Sequence, residues 1–310
     1  MTIGKDNEIW NFLMKPVAYT AMLAALLNPN AAQAAGDNNP KENKPGIEKE
    51  DNPKESDLEN ISIRLSNGKT VPAAYLKKVR EMPDFCQIQQ GLPKNGAFYC
   101  GPASAANFLI WLDNNGFDNL IPGDSNDPKA RFGLVKKLGE KDYLNTGASG
   151  TSLYFLMKGL EKYIQDQGYD VKVEHKGARF RAERYHASDQ VDLPWLLEGV
   201  QGNSNILLDI GFYKKENGAY VRKGGHFVTV AGYVIDENKV QLVIHDPSAR
   251  TGKQAKHEYC QLVPMGDENL VEHGRSAGAA GYYMLKGLSR KGGTDIAVVD
   301  CAFRFGVSGR

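Results

Sequence analysis

Apolar and polar positions follow two different periods along this chain, and the change from one to the other divides it. From Thr151 to Gln167, Leu153, Leu156, Met157, Leu160, Tyr163 and Ile164 recur at the spacing of one helix face. Thr151 or Ser152 is suited to cap that helix. Pro102 to Asn114 predicts a second helix, closed by Gly116. Pro72 to Arg80, Arg131 to Leu138 and Asp192 to Gly199 predict shorter ones. Strands dominate later, as runs of β-branched and aromatic residues bounded by turn formers. They are Asp170–His175, Asn205–Phe212, Gly218–Arg222, His226–Ile235, Lys239–His245, Tyr282–Leu285 and Ile296–Phe305. Helices first and an antiparallel sheet afterwards predict an α+β fold.

The N-terminal stretch reads differently. Lys5 and Lys15 flank an apolar run from Val17 to Leu27, and Ala32-Gln33-Ala34 follows with small residues at the exit. That order is a secretory signal peptide cleaved near Ala34, which predicts a periplasmic or secreted protein. Gly36 to Asn60 holds four Lys against eight Asp or Glu, with only Ile47 and Leu58 to bury. Such a segment cannot offset its ordering entropy and predicts a flexible tether. The expected organisation is a leader over 1–34, a linker over 35–60 and one folded domain over 61–310.

Composition narrows the function. With 41% apolar and 24% charged residues, the chain is neither fibrous nor disordered as a whole. Lys plus Arg is 38 against 37 for Asp plus Glu, which leaves no field for gripping nucleic acid or an anionic membrane. No uninterrupted apolar run reaches the ~18 residues that span a bilayer. The four cysteines show no C-x-x-C and no zinc spacing, so no metal or cofactor is expected. In an exported chain two of Cys86, Cys260 and Cys301 can pair, and Cys260–Cys301 is the expected disulfide.

Cys100 stands apart. It precedes a predicted helix with Pro102 in the first turn, where a missing N–H costs nothing. A thiol there sees the positive end of the helix macrodipole, which favours thiolate. A free cysteine is more often a small buried hydrophobe, so position alone leaves the choice open. A nucleophilic Cys needs a His base and a group to orient it. His175, His186, His257 and His273 lie among polar neighbours and read as surface residues, whereas His226 opens an apolar strand after Gly224 and Gly225. If Asp236-Glu237-Asn238 forms a three-residue hairpin, paired residue numbers sum to about 474. Val228, Val230 and Ile244 then share one face, with His226 at its end and Asp246 diagonal to it. A two-residue loop would flip this register.

Tyr99-Cys100-Gly101-Pro102-Ala103-Ser104, then Gly224-Gly225-His226-Phe227-Val228-Thr229-Val230-Ala231-Gly232-Tyr233, then His245-Asp246-Pro247-Ser248, resembles the papain-like cysteine peptidases. It is most similar to the bacteriocin-processing (double-glycine leader) peptidases and their stand-alone bacterial relatives. The likeness runs from about Met82 to Pro247, with Gly150-Thr151-Ser152 also familiar. It implies a papain-like fold in which a catalytic Cys at a helix N-terminus packs on an antiparallel sheet. It implies Cys100 as nucleophile, His226 as general base and acid, Asp246 as orienting carboxylate, and a peptide or protein as substrate. An upstream Gln would serve the oxyanion. Gln87, Gln89 and Gln90 stand ten to thirteen residues before the thiol, further than in papain, and Gln90 (or Gln89) is the expected donor. No transporter segment accompanies these motifs, so leader removal during export is not implied. Acyl transfer by the same triad, as in phytochelatin-synthase-like or transglutaminase-like proteins, and a silent peptide-binding module are the alternatives.

Overall fold

The computed structural model describes residues 62–64, 70–72, 78 and 81–309, apart from 181, 237–238, 249–257 and 290. The expected leader and linker lie outside the described residues, as does the first short helix apart from Pro72, which ends a strand, and Lys78. The chain divides into two units, Met1–Arg80 and Glu81–Arg310. In the first, β1 (Ser62–Arg64) and β2 (Thr70–Pro72) form an antiparallel pair with Ile63 opposite Val71. Everything else concerns the second unit.

Four α-helices are described there. Helix α1 (Cys100–Asp113) begins two residues before its expected start and is buried from Gly101 to Leu112. A helix apolar nearly all round belongs inside the molecule. Phe108, Leu109 and Leu112 each contribute about 1.5–3 kcal/mol by leaving water. Helix α2 (Pro128–Leu138) starts at Asp127, whose carboxylate accepts from Lys129 N–H, with Pro128 as its first residue. Helix α3 (Leu153–Asp166) is capped by Ser152, which accepts from Phe155 N–H. Helix α4 (Leu193–Gly199) is capped by Asp192. None of the described helices is long and apolar enough to cross a membrane.

The strands are β3 (Asp170–Lys176), β4 (His186–Ser188), β5 (Ser204–Glu216), β6 (Ala219–Asp236), β7 (Lys239–His245), β8 (Glu258–Pro264), β9 (Asn269–Glu272), β10 (Arg275–Gly278), β11 (Tyr283–Lys286) and β12 (Ile296–Ser308). They form one mixed sheet, antiparallel except where β3 meets β4 and β6 meets β9. The fold is therefore α+β. The pairings β5–β6–β7–β8–β11–β12 return to β5, a ring of six strands with no free edge among them. The expected strands 218–222 and 226–235 are one 18-residue strand, because Gly224 and Gly225 pair across to Phe212 and Gly211 instead of turning the chain.

The hairpin register departs from expectation and then returns to it. Asp236 pairs with Lys239, so the loop holds two residues and not three. A bulge between Val230 and Gly232 then shifts the ladder by one residue, and Thr229 lies opposite His245. Thr229 with His245 is the pairing that the longer loop predicted. The end of the hairpin that carries His226 and Asp246 has the expected register, reached by another route.

Helix α1 packs on β6. Ser104 Oγ donates to Phe227 O at 3.0 Å, Thr229 Oγ1 donates to Ser104 O at 2.8 Å, and Asn107 Nδ2 donates to Thr229 Oγ1 at 3.2 Å. A Cβ on Gly101 would lie 2.9 Å from Thr151 Oγ1 and 3.4 Å from the Phe227 ring, so the residue after Cys100 has to be small.

The expected Cys260–Cys301 disulfide is not formed; all four cysteines are free. Cys260 is on β8 and Cys301 on β12, with β11 between them. Two strand spacings amount to about 9–10 Å, beyond the ~7 Å that a disulfide tolerates between Cα atoms.

Candidate active site

Cys100 is delivered by a strained loop. Pro93–Gly96 forms a single 3-10 turn in which Lys94, Asn95 and Gly96 have φ of 48°, 52° and 81°. Buried Gln87 clasps it, donating from Nε2 to Gly96 O at 3.0 Å and to Ala97 O at 3.1 Å. The Gln87 backbone N–H donates to Pro247 O at 2.7 Å, so one residue joins this loop to the segment after β7. A Cβ on Gly96 would fall 1.8 Å from the Gln87 carbonyl oxygen. Gly96→Ala is therefore expected to cost more than about 2 kcal/mol in urea unfolding, combining a left-handed φ with a backbone clash. A loss below about 0.5 kcal/mol would mean that the loop relaxes freely.

The helix opens at the thiol. Tyr99 occupies the N-cap position and makes no side-chain cap, which leaves the first N–H groups of α1 open toward Cys100. Cys100 is partly exposed, while His226 beside it is 9% exposed and Asp246 1%. His226 Nε2 and Asp246 Oδ1 are 2.6 Å apart. Asp246 Oδ1 also accepts from Ser248 N–H at 2.8 Å, an Asx turn that fixes the carboxylate. Phe212 stacks on the imidazole with ring centroids 6.1 Å apart.

Burial alone would pull the His226 imidazolium down, but the hydrogen bond to Asp246 and the adjoining Cys100 thiol outweigh it and raise His226 to about 10. Burial raises the Asp246 carboxyl, yet His226 and the Ser248 N–H overcome that and hold it below the usual carboxylate range. With Nε2 occupied by Asp246, Nδ1 is the nitrogen left for the thiol. The arrangement stabilises an imidazolium beside a sulfur nucleophile.

No protein-family model and no curated protein matches this chain. The site therefore stands on its own geometry.

The glutamines separate clearly. Gln90 is exposed, Gln89 donates its amide to Cys86 O at 2.8 Å, and Gln87 is the buried one. The other cysteines have other surroundings. Cys86 Sγ lies 3.6 Å from Ser248 O, and burial pushes the Cys260 and Cys301 thiols up. His175 is not the surface residue expected. It is fully buried, stacks on Phe303 at 5.5 Å and faces His186 with Nδ1 atoms 3.3 Å apart, and burial takes it down to about 4. Its strand β3 is covered by β12 on one side and β4 on the other, so a polar sequence context did not make it exposed. His273 is exposed, and His245 holds Pro83 O at 2.9 Å. His257 lies outside the described residues.

An ionic network nearby escaped the sequence reading. Arg179 Nη1 lies 2.6 Å from Asp209 and its Nη2 2.8 Å from Glu272, while Arg222 Nε lies 2.7 Å from Asp300. Tyr213 donates its hydroxyl to Asp300 at 2.8 Å. Two bulges build it, one at Lys223 in β6 and one at Asp300 in β12, each aiming a charged side chain over the pair Gly211–Gly225. Asp209 pairs with Phe227, whose ring contacts the first turn of α1, so the network begins one strand from the thiol helix. Burial and neighbouring Asp209 push the Asp300 carboxyl up to about 6. An Asp inside the apolar run Leu207-Leu208-Asp209-Ile210 was the available signal. Among the described residues no group of three His, Cys, Asp or Glu is placed to hold a metal ion.

Proposed function

We propose that the protein is an exported thiol hydrolase with a papain-like fold that cleaves peptide or isopeptide bonds through an acyl-enzyme on Cys100. The observation that carries this reading is the convergence of a helix-terminal thiol, a buried imidazole and a carboxylate 2.6 Å from that imidazole. Cys100 Sγ attacks the carbonyl carbon, and the oxygen takes the electron pair beside the open N–H groups of the helix. Collapse breaks the C–N bond as the imidazolium gives its Nδ1 proton to the leaving amine. Neutral His226 then takes a proton from water while hydroxide adds to the thioester, and thiolate leaves. Asp246 keeps Nε2 protonated and the ring in place throughout.

Digestion of a peptide library followed by mass spectrometry tests the reading. Products with free carboxyl ends at defined positions are expected, and an uncut library would sink it. An added primary amine appearing in the products would turn the assignment from hydrolysis to acyl transfer.

Gln87 supports the site by position, since its amide holds the two carbonyls that precede the nucleophile. Gln87→Ala is expected to lower turnover by at least about tenfold, and exposed Gln90→Ala by less than about twofold. If Gln90→Ala instead costs about 10²–10³ in rate, as loss of an oxyanion donor does, Gln90 takes that role.

A further inference from the structure

A cavity of about 350 Å³ lies between α2 and the segment that leads to Cys100. Pro128, Arg131, Phe132 and Val135 come from α2, spaced as one helix face. Phe85, Cys86 and Gln89 close the other side. Most of this wall is apolar, and Arg131 interrupts the apolar stripe of α2.

The guanidinium is the odd element. Arg131 Nε donates to Ser125 O, Nη2 reaches Asn126 Oδ1 at 3.4 Å, and the cation lies 5.6 Å from the Phe85 ring centroid. Among the described residues the rest of its five N–H donors have no acceptor, and no carboxylate pairs with it. A half-buried guanidinium on an apolar wall is an unfilled site for a carboxylate, which it binds as a planar fork.

The cavity is tied to the site. Cys86 Sγ lies 3.6 Å from Ser248 O, Ser248 N–H binds Asp246, and Gln87 N–H binds Pro247 O. Two consecutive contacts, Cys86 to Ser248 and Ser248 to Asp246, thus join the cavity wall to the carboxylate that orients His226, and the Gln87–Pro247 bond runs beside them. Ligand pockets run from about 300 to 1,000 Å³, so this one suits a single residue better than a long segment.

We propose that this pocket holds the C-terminal residue of a peptide, an apolar side chain lying against Phe85, Phe132 and Val135 and its free carboxylate on the Arg131 guanidinium. Peptides would then be cut within a few residues of their C-terminus. The binding claim rests on the pocket, and only this consequence rests on the peptidase reading.

The test uses the full chain carrying Cys100→Ala, titrated with N-acetyl-phenylalanine and with its amide by ligand-observed NMR. The acid is expected to bind at least about tenfold more tightly than the amide. Arg131→Gln should bring the acid down to the amide, and Arg131→Lys, which keeps the charge but not the fork, should retain part of the preference. Equal binding of acid and amide, binding of neither, or an acid preference that survives Arg131→Gln overturns the proposal. An acid preference in a protein that cuts no peptide would leave the pocket standing and remove only the peptidase reading. Equal cleavage of free and amidated peptides by the active protein would overturn the consequence that this pocket sets where peptides are cut.

Discussion

Cys100→Ala and His226→Ala are each expected to abolish peptide turnover, by at least about 10⁴-fold, in proteins whose circular dichroism is unchanged. Cys100 is partly exposed at an open helix end, so loss of its sulfur removes one atom from a surface that tolerates it. Among the described residues the other thiols and imidazoles are engaged elsewhere or buried, or are exposed at the surface as His273 is. Cys260 and Cys301 are buried with thiols pushed up, and Cys86 faces Ser248 O. His245 is committed to Pro83 O and His175 is buried against His186. Iodoacetamide at neutral pH should accordingly label Cys100 ahead of Cys86 and leave Cys260 and Cys301 untouched in the folded protein. Full activity in a folded Cys100→Ala protein would falsify the mechanism, and preferential labelling of Cys86 would move the nucleophile.

Activity is expected to persist to alkaline pH and to fall near pH 10, as the His226 imidazolium is lost. The folded value lies above the ordinary imidazole value of about 6.5, so the stability this group contributes is complete below that pH and disappears as pH rises through about 10. The hydrogen bond to Asp246 is the largest single cause of the rise. Asp246→Asn should therefore draw the alkaline limb to lower pH and lower the maximum rate, while Asp246→Ala keeps partial activity, because an orienting group is less essential than either reacting group. Rates measured from pH 5 to 11 decide the matter. An alkaline limb that stays in place in Asp246→Asn would show that the carboxylate does not set the charge on the imidazole.

Much of this was legible in the chain because it is written locally. The stripe in Leu153–Asp166, the Ser152 cap and the placement of Cys100 before Pro102 need only a few neighbouring residues to be read. His226 is legible from the apolar strand that it opens, and Asp246 from a count across the hairpin that reaches the right register only because the Ala231 bulge offsets the shorter loop. The features that escaped depend on distant partners. Strands β9 and β10 carry little apolar pattern, and their turn at His273 and Gly274, both at positive φ, was the only cue. Burial of His175 depends on strand β12, more than a hundred residues away. Arg222 and Asp300 meet through two bulges, which break the period that sequence reading relies on. The disulfide failed for a related reason: proximity in sequence region says nothing about which strand lies between. Arg131 was hidden inside a helix stripe, where a long cation normally extends to water.

The bulge at Ala231 sets which side of β7 carries the carboxylate. Without it, the two-residue connection would carry its own register to the end of the ladder and turn Asp246 to the far side of its strand, away from the imidazole. With it, the ladder is shifted by one residue before it reaches Thr229 and His245. Loop and bulge therefore have to change together. A residue added to the tip, or Ala231 removed, would by itself part the carboxylate from the imidazole, while both changes made at once would keep them together.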